Sequence, residues 1–338
     1  MCLNLNLQKM DLYAVYVVIS QPTDVFFERM WLSAYSLKRH NPKMKVVCMV
    51  DDATYRGIQT TYRGKSQEVV DHFEIIDLPE ELSQRAKSRW IKTNLRNLLK
   101  GDFLFIDSDT VICDNLSELE TQKAELMMVL DYHLPLDEHG DGKAIRQTCE
   151  QVFGRKLTAD DYFNSGVILA RDTPLVNQFF AQWHKFWLEG LNRGCETDQK
   201  SLAFVVQDNP GVVRELDGIY NAQIRYSVKY LCGGKILHFF TGGDYVSLNH
   251  PFMADDVYLQ IKEDEGFGEK LKQQVDDCKS LFDVQSYIMT GTELEIKNTA
   301  SYRVLLLLRV YFPLLYKINN MMACVLNVIL SKICLDKK

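Results

Sequence analysis

An α/β fold built on a mostly parallel sheet is what this sequence predicts, and three observations carry the prediction. Short continuous apolar runs recur through the first half of the chain and end in acids or turns. Between them lie helical patterns with apolar residues at three- and four-residue steps. The length of 338 residues, 46% hydrophobic and 25% charged, allows one large or two smaller domains with a sizeable core. Continuous apolar strands alternating with helices are buried on both faces, as in a parallel sheet covered by helices. Ligands of such sheets bind outside the carboxyl ends of the strands.

The elements follow in order. The apolar run from Leu12 to Ile19 has no basic flank and reads as part of a buried strand over Tyr13–Ser20, not as a secretory signal. Phe26, Met30, Ala34 and Leu37 line one helix face. Strands are expected at Lys45–Asp51 and His72–Asp77. Trp90, Ile91, Leu95, Leu98 and Leu99 then mark a helix before Gly101. Further strands are expected at Asp102–Asp107 and Leu126–Asp131. The polar, acidic stretch 132–163 is expected to make an excursion over a site. Gly166–Ala170 and Lys235–Phe240 read as buried strands. The stripe from Leu175 through Phe179, Phe180 and Trp183 to Trp187 reads as core packing on a helix.

Charge and cysteine usage exclude several classes. The net charge of −6 argues against a general nucleic-acid binder, which needs a broad basic face. Nine scattered cysteines without a C-x-x-C fit neither a zinc ribbon nor a disulfide framework, and imply a reducing, cytoplasmic setting. The charge is uneven: residues 1–300 carry −11 and residues 301–338 carry +5. The division expected is an α/β domain over 1–255, a helical extension over 256–300 and a basic amphipathic tail over 301–338. In the tail, residues 304–331 are apolar apart from Arg309 and Lys317. The longest charge-free run, 318–331, is shorter than the about 20 residues of a membrane span. As a helix, the segment places Arg309, Lys317, Asn320, Asn327 and Ser331 on one stripe, which suits a helix lying in the inner membrane interface. A helical hairpin packed on the domain or on a second copy is the competing reading, and Pro313 is expected to kink or split the helix.

The strongest local signal is Phe103-Leu-Phe-Ile-Asp107-Ser-Asp109-Thr-Val-Ile112. In an extended chain Asp107 and Asp109 fall on one side. Two carboxylates at a strand's mouth repel unless a cation lies between them, and hard oxygen ligands suit Mg²⁺ or Mn²⁺. Such a cation would stabilise a departing diphosphate. Asp-x-Asp also resembles the nucleophile motif of haloacid-dehalogenase-like phosphatases, with Asp107 as nucleophile. Here, however, Val111 stands where that family has Thr, several strands precede the motif, and Leu248 replaces the last acid of a downstream Gly-Asp-x-x-x-Asp.

Downstream of Asp107-Ser-Asp109 come Tyr162-Phe-Asn164-Ser-Gly166-Val-Ile-Leu169, then Thr197-Asp198-Gln199 with Leu202, then Ile236-Leu-His238-Phe-Phe-Thr-Gly242. In that order these motifs resemble glycosyltransferase family eight, the retaining galactosyl- and glucosyltransferases of bacterial lipopolysaccharide and capsule assembly, with glycogenin and galactinol synthase as relatives. The resemblance covers roughly residues 12–250. It implies a GT-A fold, a divalent cation (usually manganese), a UDP-sugar donor and a saccharide or lipid-linked saccharide acceptor.

By that resemblance Asp107, Asp109 and His238 would be cation ligands. Asn164 and Gly166 would lie against the donor sugar, although Asn-Ser-Gly alone also fits a turn before a strand. Asp198 would hold sugar hydroxyls or, structurally, cap the helix that follows. Gln199 would place its amide oxygen by the anomeric carbon. A neutral amide is a poor nucleophile, unlike the carboxylate of retaining hydrolysis, so the resemblance favours front-side attack by the acceptor hydroxyl. Arg89 or Lys92 would reach the diphosphate. Ser20 and Asp24 occupy the uracil end, without the family's acidic pair after the first strand. Asp51 and Asp52 would assist there or cap a turn. Asp244 stands where family members carry a diphosphate-binding Lys behind Gly242, so Lys92 is expected to supply that charge and His250-Pro251 to line the mouth. The missing Lys also admits a scaffold that keeps the fold without catalysis.

Overall fold

The structure, a computed structural model, describes residues 12–240, 250–282, 296–297 and 299–335. The chain forms two compact units, residues 1–288 and 289–338.

The first unit holds a seven-stranded sheet. In chain order its elements are β1 (Tyr13–Val17), α1 (Phe26–His40), β2 (Val46–Val50), α2 (Asp52–Thr60), β3 (His72–Ile75), α3 (Gln84–Thr93), α4 (Leu95–Leu98) and β4 (Phe103–Ile106). After β5 (Thr110–Ile112) come β6 (Leu126–Leu130), α5 (Gly142–Phe153), β7 (Phe163–Ala170), α6 (Pro174–Leu191), α7 (Asp198–Asp208), β8 (Val213–Glu215), β9 (Ala222–Gln223), β10 (Ile236–His238), α8 (Asp256–Glu263) and α9 (Glu269–Asp276). The sheet order is β3-β2-β1-β4-β7-β6-β8. All strands run one way except β7, which is antiparallel to both β4 and β6. A second sheet, β5-β10-β9, branches off after β4.

Alternation along β1 shows why both faces are buried. Ala14, Tyr16 and Val18 join one core with Met30, Ala34 and Leu37 of α1. Tyr13, Val15, Val17 and Ile19 join the other with Ile91, Leu95, Phe179, Phe180 and Trp183. A continuous apolar strand is thus read correctly as a two-faced one. The helices start where capping chemistry allows. Asp51 accepts from Thr54 N–H at 2.9 Å, Ser83 accepts from Ala86 N–H, and Thr173 precedes Pro174. Tyr258 and Ile261 of α8 and Leu271 and Val275 of α9 bury into the core of α1.

Two local expectations change. The strand expected from Gly166 begins at Phe163, so Asn164-Ser165-Gly166 is strand, not turn. Opposite it the β6–β7 register jumps between Met128, which pairs with Ile168, and Val129, which pairs with Asn164. The stretch 132–163 does not arch over a site. Its Leu136, Cys149, Phe153 and Leu157 bury against Ala203 and Phe204 of α7 as a small separate core, and apolar burial decides its placement.

The second unit contains α10 (Ala300–Tyr311) and α11 (Pro313–Leu335). Phe312, at φ −135° and ψ 61°, separates them just before Pro313, which cannot continue a helix. The single stripe expected of one helix is therefore divided, with Arg309 on α10 and Lys317 on α11. Within α11, Pro313–Leu330 has a mean hydropathy of 1.3 and is long and apolar enough to cross a membrane by length and composition. The charge-free count understated this, because one Lys near a helix end is tolerated.

Candidate active site

Asp107 and Asp109 do not lie along one extended strand. The chain turns through Asp107-Ser108-Asp109 as it leaves the large sheet and enters the small one. Asp107 N–H donates to the Gly166 carbonyl at 2.7 Å, which carries the β4–β7 pairing through the first acid. Phe239 N–H donates to the Asp109 carbonyl at 3.0 Å, which continues the β5–β10 pairing and brings His238 alongside. Asp107, Asp109 and His238 each offer a ligand atom, and the three atoms lie within 4.8 Å of one another. His238 Nε2 is 3.2 Å from Asp109 Oδ1. An imidazole nitrogen and a carboxylate oxygen facing each other at that distance are both groups that can ligate one cation. Two carboxylates and an imidazole fit Mn²⁺ or Mg²⁺.

Behind the acids lies a buried charge network. Lys92, 2% exposed on α3, places Nζ 3.2 and 3.3 Å from the two Asp107 oxygens and 3.3 Å from Asp198 Oδ2. Arg89, a turn earlier, places Nε 3.1 Å from Asp198 Oδ1, and Ser165 Oγ donates to Asp198 Oδ2 at 2.8 Å. Burial opposes charge on Asp198, but Lys92 and Arg89 hold its carboxyl well below the usual range. Burial likewise opposes charge on Arg89, yet Asp198, Asp107 and Asp109 bind its proton more tightly than usual. For Asp107 burial wins and raises the carboxyl, against Lys92 and Arg89. Lys92 is thus committed to two carboxylates and is not held free for a diphosphate. Asp198 is the first residue of α7, with Thr197 at the cap position, so Asp198 is not the cap.

Gln199, next on α7, lines the same cavity, and its buried Nε2 has no hydrogen-bond partner among the described residues. A ligand hydroxyl would complete it, since an unmade buried hydrogen bond costs about 1–3 kcal/mol. The cavity, about 1000 Å³, is also lined by Asp24, Asn164 and Gly166. Asn164 turns its amide inward: Oδ1 accepts from Gly166 N–H at 2.9 Å, and Nδ2 donates to Asp131 at 2.8 Å. Gly166 is demanded by His238. A Cβ there would stand 2.3 Å from His238 Cε1 and 2.8 Å from Asn164 Oδ1. Gly166→Ala is therefore expected to displace the imidazole, destabilise the fold by about 1–3 kcal/mol and weaken Mn²⁺ binding. Denaturant melts and Mn²⁺ titration check both; unchanged Mn²⁺ affinity contradicts the placement.

Other expected residues scatter. Ser20 does not line the cavity; its Oγ donates to Asp24 at 2.6 Å and accepts from Phe27 N–H, shaping the entry to α1. Asp51 caps α2, and Asp52 pairs on the surface with Arg56. His250 is buried, with Nε2 on the Cys278 carbonyl and Nδ1 accepting from Phe252 N–H, so it caps a turn and does not line the mouth. Burial lowers its pKa to about 4, despite the bond to that carbonyl. Gly242 and Asp244 lie outside the described residues.

Several lining residues carry no signal in the sequence. Gln84 joins the Ile19 carbonyl to Asp24. Phe26, expected on the apolar face of α1 with Met30, Ala34 and Leu37, is instead 40% exposed at the cavity edge, and Arg29 pairs with Asp255. Arg225 donates to the Phe240 carbonyl at 3.0 Å, while its buried Nε has no partner among the described residues. Only the fold brings these positions to one cavity.

No protein-family profile matches the sequence, and no curated protein matches it. Solved structures do. The WbbM bifunctional glycosyltransferase, in its apo form, is 16% identical over 78% of this chain, with a TM-score of 0.51; the match spans half of the WbbM chain. Mouse xyloside xylosyltransferase 1 is 12% identical over 70% of this chain and 99% of its own, with a TM-score of 0.47. The galactosyltransferase LgtC, with donor and acceptor sugar analogues, is 15% identical over 78% of this chain and 100% of its own, with a TM-score of 0.46. At these identities the likeness concerns the fold, and the chain has the GT-A fold.

Proposed function

We propose that this chain is a metal-dependent retaining hexosyltransferase resembling glycosyltransferase family eight, which moves galactose or glucose from a UDP-sugar to a saccharide or lipid-linked saccharide. The observation that carries the reading is the Asp107–Asp109–His238 cluster in a cavity of about 1000 Å³ that also holds Gln199, whose Nε2 has no partner among the described residues. Asp107, Asp109 and His238 would hold a divalent cation that neutralises the diphosphate as it leaves.

The protein's own groups do the rest. Asp198, fixed by Lys92, Arg89 and Ser165, accepts from sugar hydroxyls without drifting. Gln199 offers a neutral dipole that stabilises oxocarbenium-like charge. The acceptor hydroxyl attacks the anomeric carbon on the face the diphosphate vacates. The C–O bond to the diphosphate breaks, and a diphosphate oxygen takes the acceptor's proton. Asp24, the carbonyl end of β1 and the ring of Phe26 make the base end. Arg225 supplies the charge that Asp244 does not. The apolar α11, with Lys317, suits attachment to a membrane carrying a lipid-linked acceptor.

Nucleotide release from a panel of UDP- and GDP-hexoses with Mn²⁺ tests this reading. One UDP-hexose should be hydrolysed and the GDP-sugars spared; hydrolysis of a plain phosphomonoester instead would favour a phosphatase. Gln199→Ala should lower kcat about 100-fold while UDP binding holds. An unchanged kcat removes Gln199 from the chemistry.

A further inference from the structure

His238 Nδ1 lies 2.9 Å from Asn221 Oδ1, and Asn221 Nδ2 lies 2.9 Å from Asn164 Oδ1. Asn164 Nδ2 lies 2.8 Å from Asp131 Oδ1, and His139 Nε2 lies 3.2 Å from Asp131 Oδ2. Asn164, Asn221 and His238 are at most 4% exposed, so these bonds have little competition from water. Side-chain amides and imidazoles can be turned either way, and only their partners decide the orientation.

Here two backbone N–H groups decide it, because a backbone N–H can only donate. Gly166 N–H donates to Asn164 at 2.9 Å, so the Asn164 atom it meets is the oxygen. Asn221 must then present its NH₂ to that oxygen, which leaves its own oxygen facing His238. That oxygen can only accept, so His238 Nδ1 carries a hydrogen. At the far end Asp141 N–H donates to His139 Nδ1 at 3.1 Å, so His139 donates from Nε2 to Asp131, and the polarities agree from there to His238 Nδ1; His238 Nε2 faces Asp109 Oδ1 at 3.2 Å, the contact that a shared cation would bridge. The His238 ring is also held flat. Phe240 stacks on it at 4.0 Å and 11°, and the bare Cα of Gly166 leaves it just enough room.

We infer that Asn221 is a positioning residue that fixes His238 as the Nδ1–H tautomer and so turns the Nε2 lone pair toward Asp107 and Asp109. A metal-ligating imidazole is commonly oriented by what its other nitrogen bonds. This inference rests on the metal-site reading above. Its carrier is unusual in being a neutral amide whose own orientation is set through Asn164 by a strand N–H. A carboxylate in that place would add a negative charge to a site that already holds two.

The test uses the full chain labelled with ¹⁵N-histidine, without metal, at about pH 8, above the usual imidazole range. Long-range ¹H–¹⁵N correlation reads the tautomer, with His238→Gln identifying the resonance. The wild type should show Nδ1–H. Asn221→Leu should lose that preference and bind Mn²⁺ about 10–100-fold more weakly, read from the paramagnetic resonance of free Mn²⁺. Asn221→Asp keeps the acceptor facing Nδ1 although it loses the NH₂ that Asn164 Oδ1 accepts from, and it should keep the tautomer, which a merely structural role would not preserve. An Nε2–H tautomer in the wild type, or a folded Asn221→Leu with unchanged Mn²⁺ affinity, overturns the inference. If Asn221→Leu does not fold, the wild-type tautomer and Asn221→Asp still decide it. A wild type that binds no Mn²⁺ sinks the metal reading instead, and the tautomer spectrum still judges Asn221.

Discussion

Asp109→Asn is expected to lower UDP-sugar turnover about 10²–10³-fold, the range seen when one preorganised electrostatic group is removed. The substitution keeps size and backbone. The Phe239 N–H that pairs with Asp109 bonds its carbonyl, not its side chain, so β5 and β10 stay together. What goes is a full negative charge 3.2 Å from His238 Nε2. The loss should be partly recovered by excess Mn²⁺, because the other two ligands remain. Steady-state UDP release at graded Mn²⁺ measures both effects, and a turnover equal to wild type at every concentration contradicts the assignment.

The second large effect concerns stability. Lys92→Met keeps the stem that lies over Phe105, where Nζ sits 4.8 Å from the ring centroid, and removes the charge between Asp107 and Asp198. Breaking a buried pair by removing one partner costs about 3–5 kcal/mol. The pH dependence has a definite sign. The Asp198 carboxyl is depressed in the folded state, so its contribution is present above the unfolded carboxylate value of about 3.9 and is lost as pH falls through the folded one. The gap between wild type and variant should therefore be widest near neutrality and close in acid. Urea melts at about pH 7 and about pH 2 check it; a gap that stays as wide or widens in acid means Lys92 does not sustain the Asp198 charge.

Much of the fold was legible because two-faced burial writes itself into sequence. Tyr13–Val17, Val46–Val50 and Phe103–Ile106 are apolar at every position, which only a strand covered on both sides requires. The reversed β7 was not legible, since strand direction leaves no trace in composition. Nor were β8 and β9, whose three and two residues are too short to show a period.

The site divides in the same way. Asp107, Asp109, His238, Asp198 and Gln199 were singled out by motif order, and the fold places them around one cavity. Asn221 and Arg225 were invisible because their importance comes from what β9 and β10 bring near them. Gly166 was noticed for a different reason than the one the structure supplies. Its missing side chain makes room for His238, a residue far along the chain, and such a reason exists only in three dimensions.

One measurement bears most directly on the central claim, that two acids at a strand end and an imidazole from a second sheet together hold a cation and a nucleoside diphosphate. It is calorimetric titration of the full chain with UDP, with and without Mn²⁺, for wild type and Asp109→Asn. Binding should need Mn²⁺ in the wild type and be lost or greatly weakened in the variant. At a UDP concentration of 100 Kd the wild type should gain about 2.7 kcal/mol of stability. Equal UDP binding with and without Mn²⁺, or no binding in either case, would contradict it.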